Sequence, residues 1–139
     1  MTNTIYESSD FFCHDLPTHP LPNLGKVLVT GASGYIGGRL VPELLVRGYK
    51  VRIMVRGDAH VYQNLWPDVE VVVADALNLD QLKAALCDID TAYYLIHSLN
   101  LGPREFEATD IKAAHNFQIA ADKTRLRRII YLGGLGDIR

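Results

Sequence analysis

Apolar residues fall along this chain in two alternating rhythms from Lys26 onward. Short, nearly continuous apolar runs cover Lys26–Thr30, Lys50–Val55, Val69–Ala74, Thr91–Ile96 and Arg128–Leu132. Runs without strict alternation are the pattern of parallel strands covered on both faces. Between them lie segments with helical spacing, Tyr35–Arg47, Ala59–Leu65, Leu79–Leu86 and Arg104–Lys123. Strand–helix repetition of this kind demands right-handed crossovers, so the pattern predicts an α/β fold with a doubly wound parallel sheet. In the long helix, Phe106, Ala113, Ala114, Phe117 and Ala121 recur at threes and fours and predict its buried face. Asp110 lies on the same stripe. Pro42 falls inside the first helix, where it removes the bond to the Gly38 carbonyl and predicts a kink.

Residues 1–24 lack this periodicity and carry Pro17, Pro20 and Pro22 beside Ser8 and Ser9. They read as a flexible leader, with the ordered domain spanning residues 25–139. Cys13, His14 and His19 are close in sequence, but a closed zinc site wants a full tetrahedral set at better-defined spacing, so no metal is expected.

Composition narrows the function classes. The chain has 139 residues, 48% of them apolar, and a formal charge of −2, which suits one domain with a substantial core. A near-balanced charge gives no reason to expect nucleic acid or a membrane surface as partner. No apolar run is long enough to span a bilayer, and the start lacks the basic and apolar regions of a signal peptide. The two cysteines, Cys13 and Cys87, form no CxxC, and a reducing cytoplasmic setting is the simpler reading.

The chemistry concentrates in VLVTGASGYIGGRL, Val27 to Leu40, where a strand-like run enters glycines at Gly31, Gly34 and Gly37 and a helix follows. The first glycine permits a sharp turn at the strand end, the second lets a pyrophosphate approach bare backbone, and the third lets helix and sheet pack closely. The helix start adds unpaired N–H groups and about half a positive charge. Together these make a seat for a dinucleotide. The acid on the long helix, Asp110, then has two readings: a charge favoured near a helix start, or a side chain aimed at the cofactor cleft.

The GxxGxxG spacing of TGASGYIG resembles the short-chain dehydrogenase/reductase superfamily, in its extended and atypical branches. VRIMVRG resembles that group's second strand, and VVVADALNLDQLKAAL its D-x-x-D-x-x-x-L segment. AYYLIHSL and NFQIAADKTRLRRIIYLGGLG look like the NmrA-like, NAD(P)-binding proteins of the atypical branch. The resemblance runs from about Gly25 to Asp137 and implies a Rossmann-type sheet of strand order 3-2-1-4-5.

It also implies a site. Gly31, Ser33, Gly34, Tyr35, Ile36 and Gly37 would form the phosphate loop and helix start. Arg56, just past the second strand, would grip the 2′-phosphate of NADP, with Arg52 as helper; Asp58 keeps NAD as the alternative. Asp75, with Ala76 beside it, would meet the adenine amino group or else begin a turn or cap the next helix. Ile96, His97 and Ser98 would line the ribose and nicotinamide path, while Tyr93 and Tyr94 read as core.

The hydride-transferring pattern of the superfamily is missing. No tyrosine here has lysine four residues later, Gly133 and Gly134 stand where a serine or threonine is usual, and Asp110 replaces the helix asparagine. The family's next helix, sixth strand and substrate lobe would all follow the fifth strand. The expectation is therefore the nucleotide-binding half of an oxidoreductase- or epimerase-like protein, or else a non-catalytic dinucleotide sensor or interaction module of the NmrA-like kind. An uncovered fifth-strand edge would favour self-association.

Overall fold

The structure is a computed structural model that describes Cys13 and residues 23–96 and 103–132, with side chains of the last helix from Glu107 onward. Its elements are β1 (Lys26–Thr30), α1 (Tyr35–Val46), β2 (Val51–Val55), α2 (Ala59–Leu65), β3 (Glu70–Val73), α3 (Leu79–Ala85), β4 (Ile89–Tyr94), α4 (Pro103–Asp122) and β5 (Arg128–Tyr131). The five strands form one sheet in the order β3-β2-β1-β4-β5, and every pairing is parallel. The parallel sheet is the one that the apolar pattern predicts, and its order is the Rossmann-type order that the family resemblance implies. The order reverses beside β1, where the carboxyl ends of the strands open a crevice.

Two apolar layers cover the sheet. On one face Val27, Val29, Ile53 and Val55 pack with Val41 and Leu44 of α1 and with Trp66. On the other, Leu28, Met54, Ala92 and Tyr94 pack with Leu82 and Ala85 of α3 and with Ala113, Phe117 and Ala120 of α4. Successive strand residues point to opposite faces, so β1 feeds both layers, and this is why it reads as an unbroken apolar run.

Several local expectations shift. The fourth strand begins at Ile89 and ends at Tyr94, two residues earlier at each end than the apolar run suggests. Its last ladder bonds give way to a side chain: the Thr30 hydroxyl donates to the Tyr93 carbonyl at 2.9 Å and accepts from the Leu95 N–H at 3.0 Å. On α4 the buried stripe is Ala113, Phe117 and Ala120; Ala121 is half-buried and Ala114 exposed. The side chain of Phe106 lies outside the described set. Helix α1 runs unbroken through Pro42, which is buried.

The amino ends of the strands are tied by charge. Glu70 on β3 meets Lys26 on β1 at 2.8 Å and Arg52 on β2 at 2.9 Å. The hydrogen bond from Lys26, then the bond and charge of Arg52, hold the Glu70 carboxyl below its ordinary value against the opposing cost of burial. In the stretch read as leader, Cys13, Asn23 and Leu24 are described; the Cys13 N–H donates to Glu43 and its carbonyl accepts from Arg47, both on or capping α1. His14 and His19 lie outside the described residues. Among the described residues, no group of three or more His, Cys, Asp or Glu could hold a metal ion, and no helix is long and apolar enough to cross a membrane.

Candidate functional site

The carboxyl ends of β1, β2, β3 and β4 frame a cleft of about 330 Å³. Gly31, Ser33 and Gly34 form one wall, Met54, Val55 and Arg56 a second, Asp75, Ala76 and Leu77 a third, with Leu95, Ile96, Thr109 and Ala113 closing it.

Each glycine of the loop has a different physical reason. Gly31 has φ +67°, and a Cβ there would lie 2.5 Å from the Leu95 carbonyl oxygen, so both conformation and space demand glycine. At Gly37 a Cβ would lie 2.5 Å from the Gly31 oxygen and 2.7 Å from the Ala32 Cα; the loop folds directly against the helix start. Gly34 differs. Its φ of −80° and ψ of 173° suit any residue, and a Cβ would touch the chain only at 3.4 Å, from the Gly31 oxygen. What bareness preserves at Gly34 is open space on the cleft side.

Gly34 is also the N-cap of α1, with no side-chain cap and no acidic residue in the first turn. The first-turn amides of Tyr35, Ile36 and Gly37 have no carbonyl within the helix to receive them. Donors that the helix leaves unpaired, beside a cleft with no anionic cap among the described residues, fit a bound anion such as a dinucleotide pyrophosphate. The side chains of Tyr35 and Ile36 stand exposed beside this cleft without lining it.

Arg56 closes the β2 side. Its side chain is 82% exposed, and its Nη2 lies 4.0 Å from Asp75 Oδ2, the outer limit of an ion pair. Such a contact contributes little in water and leaves the guanidinium available to a ligand. Asp75 itself builds the turn: its Oδ1 accepts from the Leu77 N–H at 2.9 Å and its carbonyl from the Asn78 N–H. The helix cap is Asn78, whose Oδ1 accepts from the Gln81 N–H at 3.1 Å, while the Gln81 side chain accepts from the Asp75 N–H. Asp75 thus makes the turn and lines the cleft, and Asn78 makes the cap.

Three expectations are corrected. Arg52 cannot help Arg56: it is buried at the other end of β2, bonded to Glu70 and to the Ala85 and Cys87 carbonyls that end α3. Asp58 is exposed in a left-handed conformation (φ 54°) and does not line the cleft. Asp110 neither sits in the first turn of α4 nor enters the cleft. It lines a separate groove between α4 and β5, where its Oδ1 is buried and has no hydrogen-bond partner among the described residues. Tyr94 in the same groove is buried as expected; burial first, then the Asp110 charge and Tyr131, push its phenol up to about 12. Tyr93 is half-buried against the other layer. His97, Ser98, Gly133 and Gly134 lie outside the described residues.

Sequence reasoning missed the α4 contribution. Thr109 and Ala113 line the cleft, and Asn116 Nδ2 donates to the Ala76 carbonyl at 3.0 Å, fixing the turn that presents Asp75. A polar amide one position before the buried Phe117 was the available signal.

Residues 31–137 match the family model described as NAD(P)H-binding. A 3-beta-hydroxysteroid dehydrogenase of Mycolicibacterium neoaurum is 29% identical over 119 residues, 78% of this chain and 32% of that protein. A nucleoside-diphosphate-sugar epimerase structure from Staphylococcus aureus superposes with a TM-score of 0.67 at 24% identity, covering 78% of this chain and 37% of the other. A short-chain dehydrogenase/reductase superfamily protein of Agrobacterium tumefaciens, solved with bound NAD, gives 0.63 at 21% identity, covering 76% and 31%. The chain thus spans about a third of the length of the curated relatives it matches. With its parallel sheet, glycine turn and uncapped helix start at one rim, the chain belongs to the NAD(P)H-binding family, as a nucleotide-binding domain similar to part of curated dehydrogenases and reductases.

Proposed function

We propose that this domain binds NADP in preference to NAD and serves an oxidoreductase- or epimerase-like protein, in a cytoplasmic setting that suits the exposed free thiols Cys13 and Cys87. The observation that carries the preference is Arg56: a guanidinium at the carboxyl end of β2, lining the cleft, with one weak contact. An Asp or Glu at that place would accept from the ribose hydroxyls of NAD; a guanidinium instead offers paired donors to a 2′-phosphate.

The residues divide the work. The amides of Tyr35, Ile36 and Gly37, with Gly31, Ser33 and Gly34, hold the pyrophosphate; Arg56 holds the 2′-phosphate; Asp75 and Ala76 meet the adenine; Ile96, His97 and Ser98 border the ribose and nicotinamide. When bound, the nicotinamide supplies hydride exchange. No Tyr-x-x-x-Lys stands in this chain to move the accompanying proton, and that absence favours a second reading, a dinucleotide-responsive module without turnover. The reading also includes self-association through the β5 edge.

Titrating NADPH and NADH against nicotinamide fluorescence tests the cofactor reading. Arg56→Glu should weaken NADPH by about 1–3 kcal/mol and leave NADH nearly unchanged. Equal loss of both ligands would remove Arg56 from the 2′-phosphate. Turnover of a carbonyl compound, quinone or sugar nucleotide by this chain would exclude the non-catalytic reading.

A further inference from the structure

The turn after β3 is held by Asp75 itself, by Gln81 of α3 and by Asn116 of α4. Gln81 accepts from the Asp75 N–H at 2.8 Å, and Asp75 Oδ1 accepts from the Leu77 N–H at 2.9 Å. Asn116 Nδ2 donates to the Ala76 carbonyl at 3.0 Å. The last two bonds act on one peptide group, because the Ala76 C=O and the Leu77 N–H lie in the same rigid plane. Asn116 clamps one end of that plane and the Asp75 carboxylate binds the other. A plane that cannot rotate fixes the direction of its N–H, and the N–H in turn fixes the carboxylate.

Helix α4 is a firm anchor for this clamp. Ala113, Phe117 and Ala120 are buried in one layer with Leu82 and Ala85 of α3. Thr109, Ala113 and Asn116 share a helix face by their spacing, and the first two line the cleft. Asn116 does not line it, so it can act on a ligand only through the turn. Its amide nitrogen is the atom required, since a carbonyl oxygen only accepts.

We propose, resting on the reading of Asp75 as the adenine contact, that Asn116 is a positioning residue for base recognition. Acting through the Ala76–Leu77 peptide, it holds the Asp75 carboxylate toward a base that carries an exocyclic amino group and against one that carries a carbonyl there. An ionised carboxylate is acceptor-only, so it attracts the amino group of adenine and opposes the corresponding oxygen of hypoxanthine. That discrimination requires a fixed carboxylate, and Asp75 has another place to turn: its Oδ2 lies 4.0 Å from Nη2 of the exposed Arg56. Releasing the peptide lets the carboxylate swing toward that guanidinium and away from the base.

Titration of the full 139-residue chain with NADPH and with its hypoxanthine analogue, followed by nicotinamide fluorescence, tests the assignment. The wild type should bind NADPH about tenfold more tightly than the analogue. Asn116→Leu keeps the volume and removes the donor; it should erase most of this preference, chiefly by weakening NADPH. Asn116→Ser, whose hydroxyl is too short to reach the carbonyl, should do the same and carries the test where the leucine variant fails to fold. Asp75→Ala should abolish the preference, and adding Asn116→Leu to it should change the ratio of affinities no further, because the two residues act in series. A general loosening of the domain would weaken both ligands alike and leave the ratio at its wild-type value. That result overturns the inference, as does a further change of ratio in the double variant. A wild type that does not bind NADPH, or that binds both ligands equally, overturns the reading of the site and the inference with it.

Discussion

Two arginines on or beside one strand show what a side chain's position adds to its identity. Arg52 and Arg56 are four residues apart on or just past β2. One is buried and closes the end of α3; the other is exposed at the cleft. Arg52's partners, Glu70 and the Ala85 and Cys87 carbonyls, are distant in sequence, so nothing local marks it as structural. Arg56 was legible because it follows the strand end, where the cofactor rim must be. The glycines were legible for the same reason, although their demands differ. Gly37→Ala should destabilise the fold by about 1–3 kcal/mol, because the new methyl meets backbone atoms that cannot swing away. Chemical denaturation checks this; unchanged stability would mean that the loop can shift without cost.

At the scale of elements, periodicity located every strand and helix, because each apolar run must reach one of two layers. It erred where a side chain replaces backbone pairing or where a helix is covered unevenly. The Thr30 hydroxyl ends the β1–β4 ladder early, and no spacing rule exposes that. The stripe on α4 ran toward Ala114 and Ala121, but α4 sits above β4, so Ala113, Phe117 and Ala120 are the covered positions. The start of α3 rests on Asn78 and Gln81, which share the capping of the turn from Asp75. Asn78→Ala should cost about 1 kcal/mol of stability. It should also loosen the turn that carries Asp75 into the cleft, so a thermal melt and an NADPH titration should both respond. A melt unchanged by Asn78→Ala would contradict the cap.

Across the whole molecule, chemistry and cohesion occupy opposite ends of the sheet. The carboxyl rim carries glycines, uncapped amides and Arg56; the amino rim carries the Lys26–Glu70–Arg52 network across three strands. The Glu70 carboxyl is held below its ordinary 4.5 chiefly by Lys26 and then by Arg52, so its charged form is favoured in the folded state. That stabilisation is fully present above about pH 4.5 and is lost as pH falls through the lowered value. Glu70→Gln should therefore flatten the acid side of the stability profile without altering NADPH affinity at neutral pH. An acid limb as steep as the wild type's would assign the loss to other carboxylates.

Calorimetric titration of NADPH into wild-type chain and Gly34→Asp tests the central claim most directly, namely that bare first-turn amides of α1 seat the twin phosphates. The backbone at Gly34 accepts any residue, and aspartate is a favourable N-cap, so the variant should melt no lower than wild type. Its carboxylate would occupy the amides and repel the phosphates. The account predicts saturable heat for wild type and none for the variant at matched concentrations; equal affinity in the two proteins would contradict it.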